Sequence, residues 1–98
     1  MKNIHQQVLA AASAPGGLDM ARWHTCDTTH CRAGWVEYLA GEAGIMLAWH
    51  TTTLFAAMQI YHASSPSINV APGRFFSNKA DAMADMRRCA AEEIAQAI

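Results

Sequence analysis

Four side chains able to bind a metal, exchange disulfides or move protons lie close together: His24, Cys26, His30 and Cys31. They belong to the segment Trp23-His24-Thr25-Cys26-Asp27-Thr28-Thr29-His30-Cys31-Arg32-Ala33-Gly34-Trp35, which holds two of the three cysteines, two of the five histidines and two of the three tryptophans. As a metal set, Cys26, Cys31 and one or both histidines suit zinc, which accepts Cys and His in a tetrahedron. The spacing departs from that of zinc ribbons and fingers. His30 and Cys31 are neighbours whose side chains diverge on a helix, and only Cys89, His50 and His62 are left to complete a site. Zinc is therefore a minor option, and no other cofactor is expected. As a redox set, Cys26 and Cys31 close a short loop, and a thiol at a helix start has its pKa lowered by the helix dipole. A Cys26–Cys31 disulfide is the leading chemical option. As a catalytic set, Cys31 needs His24 or His30 as base, with Asp27 as the nearby acid; no oxyanion hole is evident, and no catalytic residue is assigned. The plainest reading comes first: buried cysteines that pack as small hydrophobes beside two tryptophans, with the histidines bonding backbone groups.

These residues need elements to hold them. The spacing predicts a first helix capped by Asn3, with Ile4, Val8, Leu9, Ala11 and Ala12 on one face, stopped by Ala14-Pro15-Gly16-Gly17. A second helix is expected to begin near Asp27 or Thr28 and to end around Gly41 to Gly44. Its Val36, Leu39, Ala40 and Ala43 face inward, Arg32, Glu37 and Glu42 face water, and Gly34 allows close packing. A short helix over Gly44–Trp49 and a third main helix over Thr53–His62 follow, the latter capped by a threonine. Residues 63–73 read as a loop, with Ile68 and Val70 able to form a very short strand. Asn78 caps the last helix, whose inner stripe is Met83, Met86, Ala90, Ile94 and Ala97. His5, His50 and His62 have no patterned partners and read as surface or locally satisfied residues.

Composition bounds the function. Ninety-eight residues suit one domain, here 52% hydrophobic and only 15% charged. A net charge of −1, with seven Lys+Arg scattered among eight acids, excludes the basic stripe of a nucleic-acid-binding surface. From Ala43 to Gly73 no Asp, Glu, Lys or Arg occurs over 31 residues. A membrane span there is opposed by His50-Thr51-Thr52-Thr53, Gln59 and His62. The segment instead reads as a core helix or half of a subunit interface, with Trp49, Leu54, Phe55, Met58 and Tyr61 as interface candidates. The N-terminus lacks the uninterrupted apolar run of a secretion signal, and a cytoplasmic location is the default.

The motif Trp-His-Thr-Cys-x-Thr-Thr-His-Cys-Arg-Ala-Gly-Trp, followed by Leu39-Ala40-Gly41-Glu42-Ala43-Gly44, resembles a group of small uncharacterised bacterial and phage-associated proteins. The segment from Phe76 to Ala90 is similar to the last helix of that group. The resemblance spans most of Leu18 to Glu93. It implies a small domain from mobile or accessory gene content and brings no established activity and no catalytic residues. The expectation is thus an all-α domain of about four helices, with the Cys/His segment at a helix-start corner. Its expected role is a non-enzymatic interaction or accessory protein that acts through an apolar helix face on a protein partner or on a second copy. The alternative is a thiol-redox or metal-responsive protein using Cys26 and Cys31.

Overall fold

The computed structural model describes residues 1–97. Five helices, α1 (Ile4–Ser13), α2 (Arg32–Leu39), α3 (Glu42–His50), α4 (Thr53–Ser64) and α5 (Lys79–Gln96), are joined by a hairpin and a 3-10 turn at Pro72–Phe76. The hairpin strands are β1 (His24–Cys26) and β2 (Thr29–His30), paired antiparallel with His24 opposite His30 and Cys26 opposite Thr29. The chain is mostly helical, as expected, but the hairpin corrects the all-α expectation. Asp27 and Thr28 make its turn instead of starting a helix. Residues of these types serve helix caps and tight turns alike, and here long-range backbone bonds decide. His30 N–H donates to the Gly17 carbonyl and Asp19 N–H to the His30 carbonyl, which holds this stretch extended. α2 therefore starts only at Arg32. Cys31 is its N-cap, with Sγ accepting from Gly34 N–H at 3.3 Å.

Two caps fall where the sequence places them. Thr52 accepts from Phe55 N–H, and Asn78 accepts from Asp81 N–H. Asn3 does not cap α1; it sits in the left-handed region at φ 59° without a side-chain cap bond. The buried Glu93 carboxylate does that work from α5, accepting from His5 N–H at 3.0 Å and Gln6 N–H at 2.8 Å. A carboxylate at a helix N-terminus satisfies unpaired donors and complements the dipole together. Residues 63–73 contain no strand; Ile68 is buried as a single anchor.

The core gathers Ile4 and Val8 of α1, Trp35 and Val36 of α2, Tyr61 of α4, Phe75 of the 3-10 turn and Met86 of α5. Its centre is polar. Arg32, expected to face water, is fully buried and donates to Asp85 at 2.6 Å, to the Tyr61 hydroxyl at 3.2 Å and to Cys89 Sγ at 3.4 Å. Burial opposes the Arg32 charge, but Tyr61 and Asp85 more than offset it, so its pKa lies above the ordinary value. Burial likewise opposes the Asp85 carboxylate, yet hydrogen bonds from Arg32 and Arg88 hold its pKa below the ordinary value. This network turns α5 relative to the predicted stripe: Asp85, Cys89 and Glu93 face inward while Ile94 is 51% exposed and Ala97 faces solvent. Glu37, also expected in water, is buried against His24 and Thr53. No helix among the described residues is long and apolar enough to cross a membrane.

Candidate functional site

The four Cys/His side chains do not converge as one set. Cys26, Cys31 and Cys89 are free thiols. Cys31 is buried at the α2 N-cap, and burial pushes its thiol pKa up, which makes it a poor nucleophile. Cys26 lies exposed at the end of β1, beside the Thr28 hydroxyl at 3.5 Å. Hydrogen bonds from the side chain and backbone of Thr28, and then from Thr29, lower its pKa. The two sulfurs thus have separate partners and opposite surroundings.

The two histidines do meet. Cross-strand pairing of His24 with His30 brings their Nδ1 atoms to 2.7 Å. His24 Nε2 lies 3.0 Å from a Glu37 carboxylate oxygen, and His30 Nε2 lies 3.2 Å from the Asp27 carbonyl. His30 is only 3% exposed, packed edge-on against Trp35 and tilted over Tyr38. Burial lowers its pKa, the Asp27 carbonyl opposes the shift, and the neighbouring His24 imidazole adds to it. Gly34 lets α2 approach this corner, because a Cβ there would sit 1.8 Å from the Trp23 carbonyl oxygen. Among the described residues, no group of three or more His, Cys, Asp or Glu side chains is placed to share an ion. The zinc set of His24, Cys26, His30 and Cys31 therefore reduces to the two imidazoles.

His24, Cys26, His30, Glu37, Tyr38 and Ile45 line a shallow hollow that opens onto α3. That helix is apolar yet poorly covered. Gly44 is its only buried residue, packed close to the Glu37 carbonyl, while Ile45, Met46 and Trp49 are 51%, 49% and 82% exposed. Phe55, near the start of the next helix α4, is also exposed, at 45%. Of the interface candidates, Trp49 is exposed on α3 and Phe55 on α4, Leu54 and Met58 are half-buried, and Tyr61 belongs to the core. Tyr61 is corrected because its hydroxyl is held by the buried Arg32. Sequence reasoning missed Ile45 and Met46; their signal was a helix apolar on more sides than one core-facing stripe can bury.

His5 also departs from its reading. It is 1% exposed, stacked on Tyr61 at 4.4 Å, and neither ring nitrogen has a partner. Desolvation lowers its pKa to about 4. In comparisons with protein-family models, curated proteins and solved structures, nothing matches this chain.

Proposed function

We infer that this chain is a non-enzymatic interaction module that pairs with a second copy of itself through the α3 surface. The observation that carries the reading is the exposure of Ile45, Met46 and Trp49 on one short helix, with Phe55 exposed on the helix that follows. These four side chains leave on the order of 500 Å² of mostly apolar area in water, the size of a monomer's largest apolar patch, which is often functional. Standard interfaces use about 800 Å² per partner, so this patch supplies more than half of one. The absence of formal charge from Ala43 to Gly73 favours a second copy as occupant. In a two-fold pair each patch meets itself, and an uncharged patch does so without like-charge repulsion. A membrane surface fits less well, because interfacial helices carry Lys and Arg on their polar side and α3 has neither.

Sedimentation velocity over a range of protein concentrations tests the reading. The natural chain is expected to shift from monomer to dimer as concentration rises, and Trp49→Glu is expected to stay monomeric. A natural chain that is monomeric at high micromolar concentration overturns it.

A further inference from the structure

The two rings of His24 and His30 are held at both ends. Each Nε2 faces an oxygen acceptor, Glu37 for His24 and the Asp27 carbonyl for His30. A backbone carbonyl only accepts, and a carboxylate accepts in the same way, so this arrangement suits N–H groups at both Nε2 atoms. It places the two Nδ1 atoms 2.7 Å apart, where a cation between them, a shared proton or a metal ion, can hold the rings together. The outer partners have a second meaning: histidines that ligate a metal through one nitrogen donate the other N–H to a carboxylate or a backbone carbonyl, which fixes the ring. Both halves of that arrangement are present here, one of each kind.

We propose that the facing Nδ1 atoms of His24 and His30 are a two-imidazole binding site for a divalent transition-metal ion of the zinc and nickel class. Glu37 and the Asp27 carbonyl act as the groups that orient the rings. Zinc–nitrogen bonds of about 2.0–2.1 Å in a tetrahedron place two nitrogens about 3.3 Å apart, so the rings separate by roughly 0.6 Å from the present 2.7 Å and turn until both Nδ1 lone pairs meet at the ion. His24 can make that movement, because its side chain is 36% exposed. No third His, Cys, Asp or Glu among the described residues joins the pair. The ion's remaining positions face the hollow bounded by Tyr38 and Ile45 and are taken by water or an incoming donor. Such a site is open and exchangeable, unlike the closed four-ligand sites on which folds depend.

The test is calorimetric titration of the full-length chain with Ni²⁺, Zn²⁺, Co²⁺, Mn²⁺ and Mg²⁺. Expected is one saturable ion per chain, with Ni²⁺ tighter than Co²⁺, Co²⁺ tighter than Mn²⁺, and no Mg²⁺ binding, the order of a nitrogen site. His24→Gln is expected to weaken Ni²⁺ at least tenfold. Glu37→Gln is expected to weaken it about tenfold, the usual cost of losing an orienting partner. Cys26→Ser is expected to leave affinity within threefold, and the Co²⁺ form to show no thiolate charge-transfer band. Because His30 is buried and its replacement threatens the fold, His24→Gln and Glu37→Gln carry the decision. Absence of saturable Ni²⁺ binding at millimolar concentration overturns the site and leaves a shared proton only. Unchanged affinity in His24→Gln overturns it as well, and loss of binding in Cys26→Ser assigns the metal to the thiolate instead.

Discussion

Two regions of this protein invert the usual placement of charge and apolar surface. At the centre, Arg32 and Asp85 lie buried among Tyr61, Phe75 and Cys89. On the outside, α3 holds Ile45, Met46 and Trp49 in water. The difference lies in how completely each is compensated. Arg32 donates to three named acceptors and lies over the rings of Tyr61 and Phe75, while Asp85 also accepts from Arg88. Both charges at the centre have their partners within the chain. The α3 side chains have none of comparable extent. The buried charges therefore explain how the helices fix their relative rotation, and the exposed apolar helix is the surface on which the proposed pairing rests.

Substitutions sharpen that contrast. The largest effect is expected from Arg32→Met, which takes the buried partner from Asp85, leaves that carboxylate only the partly exposed Arg88 and Arg74, and costs about 3–5 kcal/mol in denaturant unfolding. Replacing both partners, as in Arg32→Met with Asp85→Leu, is expected to recover much of that loss. A double variant no better than the single one breaks the view of the centre as a self-contained pair.

Acid comes next. His5 is neutral in the folded state with a pKa of about 4, against 6.5 when unfolded. Between those values the unfolded chain binds the extra proton, so stability is fully present above pH 6.5 and falls as pH drops toward 4. The lowering corresponds to roughly 3 kcal/mol. His5→Phe keeps the stack on Tyr61 and removes two unpartnered nitrogens. It is expected to raise stability by about 1 kcal/mol at pH 7 and to flatten the profile between pH 4 and 6.5. A profile as steep as that of the natural chain sinks this account.

Glu93→Ala removes the acceptor at the α1 N-terminus. A loss of about 1–2 kcal/mol is expected by thermal unfolding, the size of a helix cap placed in a buried setting. The smallest effect on stability is expected from Trp49→Glu, within about 0.5 kcal/mol, because an exposed site away from core and caps tolerates change. The same variant is expected to abolish pairing. A loss above 2 kcal/mol makes α3 part of the fold's own packing and erases the contrast with the centre.

What the sequence revealed follows the range of the forces involved. Helices α1, α4 and α5 announce themselves through local periodicity, and Thr52 and Asn78 through cap chemistry acting over three residues. The hairpin at His24–His30 was not legible, because Asp27 and Thr28 suit a turn or a cap equally, and the choice rests on bonds to Gly17 and Asp19. Nor was the burial of Arg32, whose partner Asp85 is 53 residues away. The Asp85–Arg88 pair was readable as a neighbouring contact on α5, but its inward face depends on that distant arginine. At the candidate site the residues stood out by type alone. Their pairing, imidazole to imidazole with the sulfurs apart, needed the cross-strand register.

The three tryptophans carry a further consequence. Trp35 is 6% exposed with its indole N–H held by the Gly17 carbonyl, Trp23 is 40% exposed against Phe76, and Trp49 stands 82% in water. The chain thus has a built-in set of optical reporters graded by polarity. Trp49 emission should be red-shifted and readily quenched by acrylamide, while Trp35 should emit further to the blue and resist quenching. Selective shielding of the red component would register any occupant of the α3 surface in unlabelled protein, while the blue component would follow the integrity of the core.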